Sequence, residues 1–173
     1  LQANDAFMAA KAKEKHVHSM DHLDLLFKII KLGPVGPHPG PESIVTVYYK
    51  GMLRNGTVFD QTAKGSPVRA KVEDFFKGLQ TIIHEMKKGD KYKVYIPPAL
   101  AYGEDGKPPV IPAHATLIYY IELADIKAAP GEELKDNYAV HRRRLEDHTK
   151  KKYDELYDLH GPDGTVHHND DEL

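Results

Sequence analysis

Any chemistry in this 173-residue chain must be done without cysteine, of which there is none. Thiol nucleophiles, thiolate metal sites and disulfides are therefore excluded. The eleven histidines are where metal binding or proton transfer would be sought, and net charge should climb steeply as pH falls towards about 6. His16 and His18, and again His167 and His168, could ligate a metal, but no partners of fixed geometry accompany them. They read as surface histidines. HGPDGTVHHND, around Asp163-Gly164, has the outline of a calcium loop, yet its first ligand position would fall on Leu159 and no exiting helix follows. No metal site, cofactor or nucleophilic triad is expected. The most distinctive stretch is AYGEDGKPPVIPAHATLIYYIEL, residues 101–123, where three prolines and two glycines run straight into a strand-like alternation.

The elements that must position these residues follow from hydrophobic period. Residues 1–32 read as an N-terminal helical extension, with Leu23, Leu26, Phe27 and Ile30 at helical spacing. LGPVGPHPGPE then forms a Pro/Gly linker over 33–43. From Ile44 the period becomes two: Val45, Val47 and Tyr49 share one face of a strand. Arg54-Asn55-Gly56-Thr57 reads as a tight hairpin turn leading to Val58 and Phe59. Phe75, Phe76, Leu79, Ile82, Ile83 and Met86 then share a helical stripe ended by Gly89, before two further strands around Tyr92–Ile96 and Leu117–Leu123. The fold class is α+β, an antiparallel sheet wrapped around a short helix, over residues 44–127. Residues 128–173 read as a helix starting near Pro130, with Glu132 and Glu133 at its positive end, and an acidic tail.

Composition narrows the function classes. A formal net charge of −2 gives no electrostatic case for nucleic acid. The basic runs at 141–144 and 150–152 are interleaved with Glu146, Asp147, Asp154 and Glu155, as on a solvated helix face. No apolar run approaches the roughly 18 residues of a membrane span. The chain opens at Leu1 without methionine and ends in DDEL. Those ends lead to the expectation of a removed signal peptide and an endoplasmic reticulum lumen address, in which the Asn55-Gly56-Thr57 sequon could carry a glycan.

Three blocks, YYKGMLRNGTVFD, FFKGLQTIIHEMKKGDKYKVYIP and AYGEDGKPPVIPAHATLIYYIEL, together resemble the FKBP-type peptidyl-prolyl cis-trans isomerases. The helical extensions are loosely similar to those of the macrophage infectivity potentiator branch. The resemblance implies an apolar pocket between sheet and helix, with the proline-stiffened loop as its lip. Tyr49, Phe59, Asp60 and Tyr102 stand at the family's catalytic positions, Tyr102 being the hydroxyl that binds a ligand carbonyl. Val68, Phe75, Phe76, Leu79, Ala101, Val110, Ile111 and Tyr119 stand at its substrate-binding positions, Phe76 supplying a backbone donor. Three residues depart from the pattern: Val68 and Ala70 replace aromatics, and Leu79 replaces a tryptophan.

The implied activity is cis-trans isomerisation of X-Pro bonds in protein substrates, assisting folding. The departures imply weakened binding of macrolides such as tacrolimus or rapamycin, since a lost aromatic contact is worth about 1 kcal/mol or more. The alternative is a non-catalytic binding or chaperone module of the same fold, working through terminal helices that could also join two copies.

Overall fold

The computed structural model describes residues 2–20, 23–134, 136 and 142–150. The element order is α1 (Gln2–Ala12), β1 (Val17–Ser19), β2 (Leu26–Lys31), β3 (Ile44–Leu53), β4 (Val58–Gln61), β5 (Val68–Lys71), α2 (Lys77–Glu85), β6 (Lys91–Ile96) and β7 (Leu117–Lys127). One antiparallel sheet runs in the order β1-β2-β6-β7-β3-β4. The outer edge of β3 is shared: Ile44 to Val47 pair with β5, and Lys50 to Met52 pair with β4. The architecture is the expected α+β one.

The sheet wraps α2, whose Leu79, Ile82 and Ile83 meet Val45, Val47, Tyr92, Val94, Leu117 and Ile121 in one core. Each such side chain, removed from water, is worth about 1.5–3 kcal/mol. The opposite face of the sheet is only partly covered. There Leu26, Tyr95 and Ile118 form a second cluster, on which Phe7 and Met8 of α1 pack, with the Phe7 ring edge-on to Tyr95 at 6.1 Å.

The helical reading of residues 23–30 is overturned: β2 lies there, paired with β6 from Leu26↔Tyr95 to Lys31↔Lys91. Leu25, Phe27 and Ile29 face α2 while Leu26 faces α1. Apolar residues on both faces of the 25–30 stretch, interrupted only by Lys28, satisfy either period, and the edge of β6 settles it by pairing.

The 33–43 segment is irregular, as its prolines require, but it is tied down. Gly33 N–H donates to Asp90 Oδ1 at 2.7 Å, and His38 Nδ1 and His84 Nδ1 contact the Met86 and Pro39 carbonyl oxygens at 3.0 and 2.8 Å. Lys87 Nζ, buried at 2% exposure, completes this lock with Asp90 Oδ1 at 2.6 Å and the Gly33 carbonyl at 2.9 Å.

The tail also differs from its reading. Residues 131–134 are not helical. Glu132 instead accepts hydrogen bonds from the Ser43 hydroxyl, Glu42 N–H and Ala129 N–H. A helical segment spans 142–150, with the Arg144 guanidinium 4.5 Å from the Phe27 ring centroid and 3.8 Å from Glu85. The readings placed on 151–173, including the histidine pair at 167–168 and the DDEL end, lie outside the described residues.

Candidate active site

Residues 72–76 carry the main local departure from the sequence reading. A short 3-10 turn, Val72–Asp74, ends at Phe75, and α2 begins only at Lys77. Phe75 and Phe76 are extended, with Phe76 the residue preceding α2 at φ −66°, ψ 160°. They are therefore not on the helical stripe. The Gln80 side-chain amide holds this turn from inside, donating to the Glu73 and Phe75 carbonyls at 3.1 and 2.5 Å. An extended dipeptide at a helix start points its side chains away from the helix axis, which brings both rings to the open end of the sheet.

There they close a cavity of about 390 Å³ with Tyr49, Asp60, Asp74, Leu79, Tyr102 and Tyr119. Such a volume falls within the range of small-ligand sites. Tyr119 is its centre: its ring lies 5.9 Å from Tyr49, 5.8 Å from Phe59 and 5.7 Å from Phe76, the last two edge-on. Phe76 also meets Tyr102 at 5.3 Å. Edge-to-face rings at these separations hold one another in place. Gly51 makes the cluster possible, because a Cβ there would sit 2.8 Å from Phe59 and 2.9 Å from Tyr119.

Two of the cavity's hydroxyls, those of Tyr49 and Tyr119, are donors kept protonated. The Tyr49 hydroxyl donates to Asp60 Oδ2 at 3.1 Å. Burial foremost, then the Asp60 charge and this hydrogen bond, push Tyr49 up to about 12. Burial, with Tyr102, Asp60 and Tyr49 acting in the same sense, pushes Tyr119 far above the usual phenol range. Among the described residues Asp60 forms no ion pair. No group of three or more metal-ligating side chains occurs among the described residues.

Seven of the twelve site residues read from the sequence line the cavity: Tyr49, Asp60, Phe75, Phe76, Leu79, Tyr102 and Tyr119. Phe59 supports it from behind Tyr119. Val68 and Ala101 pack on the core without lining it. The lip pair separates: Ile111 turns into the core at 3% exposure, while Val110 stands out at 51%. The Lys107–Ile111 backbone bonds, 2.8 and 2.9 Å, pinch the loop so that neighbouring residues face opposite ways. Gly106, at φ +65°, sits where a Cβ would strike the Ile111 and Pro112 carbonyls at 2.5 Å. Asp74 was missed by the sequence reading. Its signal is the extended VEDFF turn, hidden by extending the helical stripe too far back.

Comparison with known proteins agrees with this geometry. The family model described as FKBP-type peptidyl-prolyl cis-trans isomerase matches residues 36–124. Over 123 residues the chain is 37% identical to the peptidyl-prolyl cis-trans isomerase Mip of Coxiella burnetii, covering 70% of this chain and 53% of that protein. It is 37% identical over 125 residues to the FKBP-type peptidyl-prolyl cis-trans isomerase FkpA of Escherichia coli, covering 72% of this chain and 45% of that one. The crystal structure of FkpA from Escherichia coli superposes with a TM-score of 0.69 at 35% identity, covering 75% of this chain and 60% of that chain. The chain thus spans about half the length of these two relatives. Sheet, cavity and matched sequence coincide, and this chain belongs to the FKBP-type peptidyl-prolyl cis-trans isomerase family.

Proposed function

We propose that this chain catalyses cis-trans isomerisation of X-Pro bonds in polypeptides. The observation that carries the reading is a pocket walled by Tyr49, Phe75, Phe76, Leu79, Tyr102 and Tyr119, with hydroxyl donors and no nucleophile. Rotation about X-Pro needs none. Its barrier, about 18–20 kcal/mol, is lost amide resonance, and no bond is made or broken.

The planar amide is more dipolar than the twisted one, so walls that exclude water disfavour the ground state relative to the transition state. Tyr119 and Leu79, each 3% exposed, form that dry floor. Phenol groups at the mouth fix the carbonyls on either side of the rotating bond. Tyr102 is the principal such donor. The Phe76 N–H, which makes no hydrogen bond within the described protein, is a second.

The prolyl-peptide isomerisation rate with and without tacrolimus tests the reading. Catalysis above the spontaneous rate, inhibited by the macrolide, is the expected result. The competing reading, a binding module without turnover, is favoured by Leu79, which stands where the family pattern has a tryptophan and offers a ligand less apolar contact. That reading requires tacrolimus binding with no catalysis, and an uncatalysed rate with every peptide sinks the enzyme.

A further inference from the structure

The Phe75 carbonyl and the Phe76 N–H belong to one trans peptide unit. Such a unit is planar, so its C=O and N–H bonds point in opposite directions. The carbonyl end is held by the half-buried Gln80 side chain, whose Nε2 donates to it at 2.5 Å and to the Glu73 carbonyl at 3.1 Å. Both acceptors are carbonyl oxygens, so the atom that faces them is the amide nitrogen and not its oxygen. The Gln80 backbone N–H also donates to the Phe76 carbonyl, at 3.0 Å. One residue of α2 therefore grips the backbone on both sides of Phe76.

Phe75 and Phe76 line the cavity and Gln80 does not. The carbonyl of their shared peptide is thus turned away from the cavity and the N–H towards it. That N–H has no partner within the described protein. A carbonyl that accepts a hydrogen bond polarises its own amide, which makes the N–H of the same unit a better donor.

We infer that Gln80 is a positioning residue for the isomerase site. It fixes the direction of the Phe75–Phe76 peptide and strengthens the N–H that grips a substrate carbonyl, while touching no substrate itself. This rests on the isomerase reading and adds to it the side chain that prepares the backbone donor.

The test compares the full chain with Gln80→Ala and Gln80→Glu in a protease-free exchange assay and by amide NMR. Glutamate keeps the shape of the side chain but offers those carbonyls a donor only while protonated. Facing two acceptors also raises its pKa above the usual carboxylate range. Glu73 and Asp74 on the turn, and Lys77 and His84 one helical turn away, titrate in all three proteins. Each rate is therefore divided by that of the unaltered protein at the same pH. At about pH 7.5 the relative kcat/KM should be about fivefold down in both variants, the loss of one hydrogen bond. At about pH 5 Gln80→Glu should recover to within about twofold of the unaltered protein, and Gln80→Ala should not. The Phe76 amide nitrogen shift, which responds to a hydrogen bond on the preceding carbonyl, should follow the same titration in Gln80→Glu alone.

An unchanged kcat/KM in Gln80→Ala overturns the inference and leaves the enzyme standing. So does a loss in Gln80→Glu that acid does not relieve, as a purely structural brace would give, or a Phe76 shift that does not titrate. An unaltered protein that never exceeds the spontaneous rate removes the isomerase reading, and this inference with it.

Discussion

At the residue scale, the pocket depends on one side chain being absent. Gly51 sits beneath Phe59 and Tyr119 with no room for a methyl. Gly51→Ala should push one or both rings into the cavity. Overpacking of this kind costs about 1–3 kcal/mol, so the urea midpoint should fall and the isomerisation rate with it. A variant of unchanged stability and rate would mean that the rings are not held as described. The residues carried over from the family pattern fared according to how directly they face the cavity. Tyr49, Asp60, Tyr102 and Tyr119 are there. Val110 is not, because a loop pinched at Lys107 and Ile111 sends it outward.

At the scale of elements, the 33–43 segment and the turn after α2 are joined by a buried charge pair. Asp90 accepts from Gly33 N–H, Lys87 N–H at 3.1 Å and Lys87 Nζ. Asp90→Ala would strand an ammonium that is 2% exposed and two backbone donors. Removing one partner of such a pair typically costs about 3–5 kcal/mol. Chemical denaturation should show a loss of that size, while a loss below about 1 kcal/mol would show the pair to be solvated. The same lock explains how a Pro/Gly-rich stretch that pairs with no strand of the sheet can still carry β2 into register with β6.

At the scale of the whole molecule, the 142–150 helix packs at the end of α2 remote from the cavity, where Arg144 faces Glu85 and Phe27. His18 lies in this contact, its ring 5.3 Å from Phe27 and its Nδ1 3.8 Å from Asp147. Burial lowers its pKa below 6.5, Asp147 opposes the shift, and Arg144 and His16 reinforce it. A depressed histidine favours the neutral form when folded, so the unfolded chain binds more protons as pH falls through 6.5. Stability present above that value is lost below it. The thermal midpoint should drop between about pH 7.5 and 5.5, and drop less in His18→Gln. An equal fall in both proteins would remove His18 as the cause.

The amino-acid order alone determined the hairpin at Asn55-Gly56, the amphipathic face of α2, the alternation of β3, β6 and β7 and the aromatic inventory of the pocket. Each is a local signal, a turn conformation or a hydrophobic period, that tertiary context only had to accept. Tertiary structure decided the rest. It made 26–31 a strand because β6 offered an unpaired edge to a run that is apolar on both faces. It drew Phe75 and Phe76 off the helix because a 3-10 turn, braced by Gln80, precedes them. It placed Asp74 beside Asp60 across the cavity mouth. Period and propensity act over a few neighbours and register apolar spacing. β2 and the cavity mouth depend instead on segments distant in sequence, and the turn before α2 on a side-chain hydrogen bond that apolar spacing does not show.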